Sequence, residues 1–320
     1  MDALTQAYAL AQEWLFAQVV QPVLFHAGMG NLLEDGYAAT GWLLVGLIEL
    51  ALIVTVMLPL QRLVPVEPVT DRRAVRVDIL YTLIHRLGLF RVAMFFALDP
   101  VLSATFGWLQ VHGIGGLQLD ALWPGVSDLP MVSLLLYLVV FDLADYLLHR
   151  AQHRFEWWWA LHAVHHSQRQ MTVWSDNRNH LLDAMLRDVL MVTLARFIGV
   201  APEQFIAIVA LTQLFENLSH ANARVHFGAW LNRLLVSPRF HRRHHAIGAA
   251  DVPAGEGTPG GQNFGVLFSL WDQLFGTADF RAELPPTGIL DQLPQAGARD
   301  YGAGFWAQQW LGMRRLFGRA

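Results

Sequence analysis

The sequence predicts an all-α protein: a multi-pass transmembrane helical bundle with a cytoplasmic histidine-rich metal-binding cap. Three observations predict it. Of 320 residues, 54% are hydrophobic and 15% charged, and the mean hydropathy is +0.34, which suits a membrane protein better than two soluble domains. Apolar runs long enough to cross a bilayer alternate with arginine-bearing connections. Eleven of the 14 histidines fall between His149 and His245, eight of them in three compact boxes.

In chain order, Ala7 to Phe25 is apolar but interrupted by Gln12, Glu13, Gln18 and Gln21, and reads as an amphipathic or weakly spanning helix. No basic start precedes it, so a signal peptide is not expected. Gly41 to Leu60 is the clearest span, with Glu49 its only charge and about the ~20 residues that a bilayer requires. After a loop with Arg62, Arg72, Arg73 and Arg76, Ile79 to Leu98 reads as a second span. It carries His85, Arg86 and Arg91, which must face protein or water, packing between helices being the favoured role and a substrate entrance the alternative. Val101 to Pro130 reads as a Gly-rich connection, and Met131 to Leu148 as a third span running into the first histidine box. Ala184 to Val200 and Glu203 to Leu218 form a spanning or re-entrant pair that returns His220 to the face it left. Ala246 to Gly261 is a Gly/Pro/Ala loop. The tail from Tyr301 mixes Phe305, Trp306, Trp310 and Phe317 with Arg314, Arg315 and Arg319, and suits a helix in the headgroup region or one packed on the cap. These elements give three parts: N-terminal membrane-anchoring helices (1–130), a histidine-bearing domain (131–280) and an amphipathic tail (281–320).

All 22 basic residues are arginine and the net charge is -4, so no nucleic-acid partner is expected. No arginine precedes Arg62 and none lies between Arg91 and Arg150, while arginines crowd the boxes. By the positive-inside rule the boxes lie on the cytoplasmic side of an integral membrane protein. With no cysteine in the chain, disulfides and thiolate metal sites are excluded, and a metal must be held by nitrogen and oxygen.

The boxes read H-R-A-Q-H at His149 and His153, H-A-V-H-H at His162, His165 and His166, and H-R-R-H-H at His241, His244 and His245. On a helix, residues four apart share a face, so each box aims two or three imidazoles at one point. One such pair is as well explained by structural hydrogen bonding. Three together exceed what one ion can use, since zinc takes four ligands and iron rarely more than six. Two metals are therefore expected. Asp142 and Asp145 lie one turn apart ahead of His149 and are candidates for orienting an imidazole, and Glu216 stands four residues before His220. The helix-surface alternative is open for each.

The order of motifs resembles the fatty acid hydroxylase and sterol desaturase superfamily of membrane-bound non-haem di-iron oxygenases. The match runs from about Leu135 to Thr277: Asp142, Tyr146, His149, Arg150 and His153 in box one, then boxes two and three, then Asn263, Phe264, Gly265, Trp271, Asp272, Phe275, Gly276 and Thr277. Between boxes the resemblance picks out His180 and Asp183, with Leu181 where the family has proline, and His220 with Asn222. It implies ten metal ligands, His149, His153, His162, His165, His166, His180, His220, His241, His244 and His245, with Asn222 joining the two aspartates as an orienting candidate. It also implies two irons (zinc as purified being an alternative), O2 as co-substrate, a lipid substrate, and a separate cytochrome b5-like or ferredoxin-like electron donor. Residues 131–280 would then be the catalytic domain. The eight residues between His153 and His162 favour the hydroxylase branch, although relatives hydroxylate, desaturate or cleave ether lipids. Trp157, Trp158 and Trp159 are expected as interfacial anchors or as cover for the lipid entrance. The other readings are a transmembrane haem protein and a non-catalytic, zinc-containing metalloprotein.

Overall fold

A computed structural model describes residues 3–249 and 261–318. Most of the expected loop 246–261 lies outside them. The described residues are almost wholly helical, with no strand and two isolated bridges, Leu235 to Phe268 and Ala246 to Thr287. In order, the helices are α1 (Ala3–Leu15), α2 (Gln21–His26), α3 (Leu33–Leu52), α4 (Leu58–Leu63), α5 (Arg72–Arg86), α6 (Leu89–Val111), α7 (Pro130–Arg154), α8 (Glu156–His166), α9 (Leu181–Ile198), α10 (Pro202–Ser219), α11 (Gly228–Leu231), α12 (Pro238–His244), α13 (Leu270–Leu274) and α14 (Phe305–Leu316).

Three continuous helical segments are long and apolar enough to cross a membrane: Gly30–Leu63, Leu89–Val111 and Pro130–Arg154. The first contains the expected Gly41–Leu60 span. Its lone acid, Glu49, is buried against Arg86 Nε at 3.1 Å. The second differs from expectation. Leu87 and Gly88 break the run expected from Ile79 to Leu98, because Gly88 adopts φ +77 and ends α5. Left-handed glycine closes a helix at little cost. The span is α6 instead, and it absorbs residues 101–111, which read as a connection in sequence.

At 25 residues, α7 is roughly 37 Å long at 1.5 Å per residue, more than a bilayer core. It is therefore long enough to put its start and its histidines on opposite faces of a membrane. Pro130 sits in the first turn, where a missing N–H costs nothing. Helices α9 and α10 form the expected pair and run nearly the length of α7. Their turn is pinned near the α7 start by Tyr137, whose hydroxyl donates to Ile198 O (3.1 Å), and by Gln204 to Ser133 (2.9 Å). At the other end, His180 and His220 flank the histidine boxes. An apolar core of Tyr137, Leu138, Phe141, Ala195, Ile198, Ile208 and Leu267 joins the three helices.

Helix α14 docks on the cap. Phe305, Gln308, Gln309 and Gly312 are buried against it, while Trp306 and Trp310 remain 77% and 67% exposed. The tail is thus packed on the cap, the second of its two expected roles.

Helices α3 and α5 approach so closely that a Cβ on Gly46 would overlap the Arg86 carbonyl oxygen. Gly46→Ala should accordingly cost about 1–3 kcal/mol and lower the unfolding temperature of the detergent-solubilised protein. An unchanged melting curve would contradict the close approach.

Candidate metal centre

Each histidine box ends or follows a helix, so its imidazoles are aimed by rigid backbone. Helix α7 closes with His149 and His153. Helix α8 closes with His162, His165 and His166. Helix α12 presents His241 and His244 and is capped by His245, and His220 caps α10. Neighbouring residues on a helix diverge by about 100°. That divergence splits the boxes between two centres. His149, His153, His162 and His166 form one group of converging nitrogens, and His165, His220, His241 and His245 form another. His166, His244 and His245 make a third overlapping set that joins them, the His166 and His245 rings stacking at 4.2 Å.

The spacing is that of a coordination shell. Nitrogens bound at ~2.1 Å to one ion at tetrahedral or octahedral angles lie about 3.0–3.4 Å apart. The Nε2 atoms of His165 and His220 are 3.2 Å apart, those of His220 and His241 3.1 Å, and those of His241 and His245 3.1 Å. His166 and His244 are likewise 3.1 Å apart.

Four rings are steered through their second nitrogen. His149 Nδ1 meets Phe264 O at 2.9 Å, His244 Nδ1 meets Gln262 O at 2.7 Å, His220 Nδ1 meets Glu216 O at 2.7 Å, and His162 Nδ1 meets Asp183 Oδ2 at 3.0 Å. A carbonyl or carboxylate on Nδ1 fixes the tautomer that offers Nε2 as a ligand. Burial pushes the basicity of His165, His166, His241, His244 and His245 well below the ordinary imidazole value, and that of His220 down to about 4. The rings are neutral, as ligation requires.

His162 Nε2 and the Nδ1 atoms of His165, His166, His241 and His245 are buried without a hydrogen-bond partner. Of these, His162 Nε2 is the ligand-side atom of a ring whose Nδ1 is already held by Asp183, and left unligated it would cost about 1–3 kcal/mol. Nitrogen-rich, carboxylate-free groups of this geometry fit metal ions such as iron or zinc.

His180, expected as a ligand, is placed outside both groups. Its Nε2 meets Gln309 O at 2.9 Å and its Nδ1 accepts from Leu182 N at 3.1 Å, so it starts α9 and anchors α14. Gly312 is required there, since a Cβ would strike the His180 ring. The three orienting candidates also act elsewhere. Asp142 accepts from Leu267 N (2.8 Å), Phe268 N (3.1 Å) and Trp271 Nε1 (2.8 Å), tying α7 to the segment after box three. Asp145 pairs with Arg187 at 2.8 Å. Asn222 brackets Glu67, donating to its carbonyl and accepting from its N–H. The carboxylate that does orient an imidazole is Asp183, which also receives Gln152 and Trp158 at 2.7 Å each. Its signal was present as the acid three residues after His180. Trp158 is thus an internal donor rather than an interfacial anchor. Trp159 packs on His153 at 5.0 Å, and only Trp157 of the three is well exposed.

The segment after box three fastens the cap. Asp272 accepts Phe264 N and Gly265 N, each at 2.8 Å, and Thr277 Oγ1 at 2.6 Å; the Tyr146 and Thr277 hydroxyls meet at 3.0 Å. Asn263, at φ +58, clamps Phe240 O and Asp279.

A cavity of about 100 Å3 abuts the histidines, reached by His149, His162, His165, His220 and His241. Its walls are mainly polar, and only Phe90, Ala184 and Val266 line it with carbon alone. His85 and Arg91 therefore face this space, whereas Arg86 packs between helices.

Residues 134–277, which contain every box and the closing segment, match the family model described as Fatty acid hydroxylase. That region is similar to the fatty acid hydroxylase and sterol desaturase superfamily. Superfamily relatives include an ornithine lipid hydroxylase of Rhizobium tropici, 29% identical over 222 residues, 68% of this chain and 62% of that protein. A delta(7)-sterol 5(6)-desaturase of Gibberella zeae is 25% identical over 52% of this chain and 46% of its own length. An alkylglycerol monooxygenase of Caenorhabditis elegans is 26% identical over 44% of this chain and 26% of its own. The chain thus spans less than two thirds of each relative. No solved structure gives a significant match.

Three results should follow from this geometry. Metal analysis of protein purified under iron-preserving conditions should give two ions per chain, and one ion would overturn the two-group arrangement. His180→Ala should keep both ions but lose thermal stability, whereas Asp183→Asn should weaken metal retention by about 10–100-fold.

Proposed function

We propose that this chain is a membrane-bound di-iron lipid oxygenase, hydroxylating or desaturating a lipid with O2 and electrons from a separate cytochrome b5-like or ferredoxin-like protein. The observation that carries the reading is the pair of four-histidine groups sharing one wall and opening on one cavity. Nine histidines would hold the irons: His149, His153, His162, His165, His166, His220, His241, His244 and His245. Two irons so held supply O2 activation and the oxidising strength for an unactivated C–H bond. For hydroxylation the balance is R–H + O2 + 2 electrons + 2 protons giving R–OH and water, with the external donor as reductant.

The protein's own part is placement. Asp183, Phe264 O, Gln262 O and Glu216 O keep four imidazoles in register, and Trp159 and Phe264 shield the group around His153 from water. The cavity holds the substrate group against five histidines, so reaction becomes a matter of orientation. Family likeness supports lipid as the substrate class, because the relatives' names include ornithine lipid, sterol and alkylglycerol. Arginine distribution supports a cytoplasmic metal site: His149 stands within the last turns of α7, on the face where arginines crowd.

His165→Ala, from the second group, and His244→Ala, from the set that joins the two groups, should each abolish oxidation of the lipid identified by comparing expressing with non-expressing cells, while the protein stays in the membrane. Near-normal turnover by either would remove that residue from the ligand set. Zinc in place of iron, with no oxidised lipid, would favour a non-catalytic metalloprotein.

Sidedness can be read in this cysteine-free chain from single cysteines at two exposed sites, Asp128 before α7 and Ala282 beyond the cap. An impermeant thiol reagent should label position 128 from outside and position 282 only from the cytoplasm. The reverse pattern would invert the topology.

A further inference from the structure

A larger cavity lies away from the metal centre and has a different lining. It measures about 350 Å3 and opens between the first turns of α5, residues 167–169 where the chain leaves box two, and tail residues 298–308. That volume falls within the roughly 300–1,000 Å3 of small-molecule sites. Its lining includes none of the nine histidines.

Four arginines line this space: Arg73, Arg169, Arg178 and Arg299. Arg299 is engaged by Asp291 at 3.0 Å. The other three have donors to spare. Arg73 and Arg169 make no side-chain hydrogen bond and no ion pair among the described residues. Arg178 is only 4% exposed and is fixed through Nε on Asp78 at 2.9 Å, while its Nη1 and Nη2 make no hydrogen bond among those residues. Asp78 is itself buried and held by Ser175 and Gln168, so this guanidinium is positioned in advance. The acids of the lining do not answer these groups. Asp71 caps α5, accepting from Arg73 N at 3.1 Å and Ala74 N at 2.9 Å, and Asp300 accepts from Gly302 N at 2.7 Å.

Guanidinium forks bind phosphate through paired, charge-assisted N–H···O bonds. A tetrahedral phosphate presents oxygens in several directions and so accepts from three separate stretches of chain, whereas a planar carboxylate is filled by one fork. We propose that this cavity binds a phosphate monoester, its anionic oxygens on Arg73, Arg169 and Arg178 and its organic part in the remaining volume. Bound there, it ties α5 and the tail to Ser167, the residue that follows His166. The monoester comes from a soluble metabolite or from a phospholipid head, and depth fits the second source as well as the first. Gly46, against which Arg86 packs, is near the midpoint of the spanning segment Gly30–Leu63, and Val75 and Ile79 pack back along the same segment. Arg73 lies thirteen residues from Arg86, roughly 20 Å of helix, which exceeds the ~15 Å half-thickness of a bilayer core and reaches headgroup level.

The test is calorimetric binding to metal-loaded protein in detergent, with no turnover required, so that it stands or falls apart from the oxygenase reading. The probes are glycerol 3-phosphate, dihexanoyl phosphatidic acid, and glycerate as the carboxylate counterpart, with dihexanoyl phosphatidylcholine giving the detergent background. At least one of the two monoesters should bind about tenfold or more tightly than glycerate. Tighter binding of the phosphatidic acid assigns a lipid source, and equal or weaker binding a soluble one. Arg73→Gln and Arg169→Gln, both at exposed positions, should each weaken the monoester about tenfold, and together they should erase its margin over glycerate at unchanged metal content. Glycerate binding the wild-type protein as tightly as both monoesters would overturn the proposal. So would an undiminished margin in the double variant, the result expected of phosphate bound at the metal centre instead.

Discussion

Eight imidazoles in two groups, with His244 joining them, must hold the ligand nitrogens of each group within 4.8 Å of one another, and most of the cap follows from that requirement. Such rings repel one another when protonated and leave costly unpaired atoms when not ligated. Rigid placement is the solution. Every histidine of the two groups sits in the last turns or at the cap of α7, α8, α10 or α12, and none depends on a long loop. Where a ring needs a second hold, backbone carbonyls supply three and Asp183 one. The segment from Asn263 to Thr277 supplies none of the imidazoles. It places Phe264 against His149, His153 and His244, and is locked to α7 through Asp142 and Tyr146.

The membrane imposes a second requirement on the same helices. Charge within a bundle has to be answered inside the bundle. Glu49 and Asp176 share Arg86, while Asp145 and Glu216 share Arg187. These pairs cross-link α3 to α5 and α7 to α9 and α10, and of these α7 and α10 carry histidines of the two groups. Replacing one member would leave its partner charged and buried, which is costlier than never having had the pair. The polar residues of the spans therefore hold the scaffold in the register that the cap demands, and Arg91 and Asp188 stand apart from that arrangement.

Much of this was legible in the sequence. The boxes, the spans at Gly41–Leu60 and Met131–Leu148, and the α9–α10 pair were visible because helical spacing and hydropathy act within one element. The errors concern what one element does to another. His180 follows its family motif yet points at Gln309, which is 129 residues away and carries no sequence signal. Asp145 lies one turn from His149 but turns to an arginine on a neighbouring helix. Asp142 serves three donors beyond box three, and Asn222 serves the loop at Glu67. The second span was misplaced because Gly88 inside an apolar run reads as tolerated, when its left-handed conformation makes it a stop.

Charge gives an argument for cations in the cap that is independent of ligand geometry. Glu49, Asp145, Asp176, Asp183 and Glu216 lie in or beside the cavity wall, and their ion-pair partners among the arginines are Arg86 and Arg187 alone. Carboxylates outnumber the guanidiniums beside them in this region. Little water reaches that region to screen them. A neutral all-histidine ligand set carries no charge to balance its own ions. The two imbalances are of opposite sign and adjacent: Asp183 contacts His162, and Asp176 Oδ1 lies 3.6 Å from His220 Nδ1. Carboxylates one step behind the ligands can neutralise the ions without occupying coordination positions, which leaves the faces toward the cavity open for chemistry.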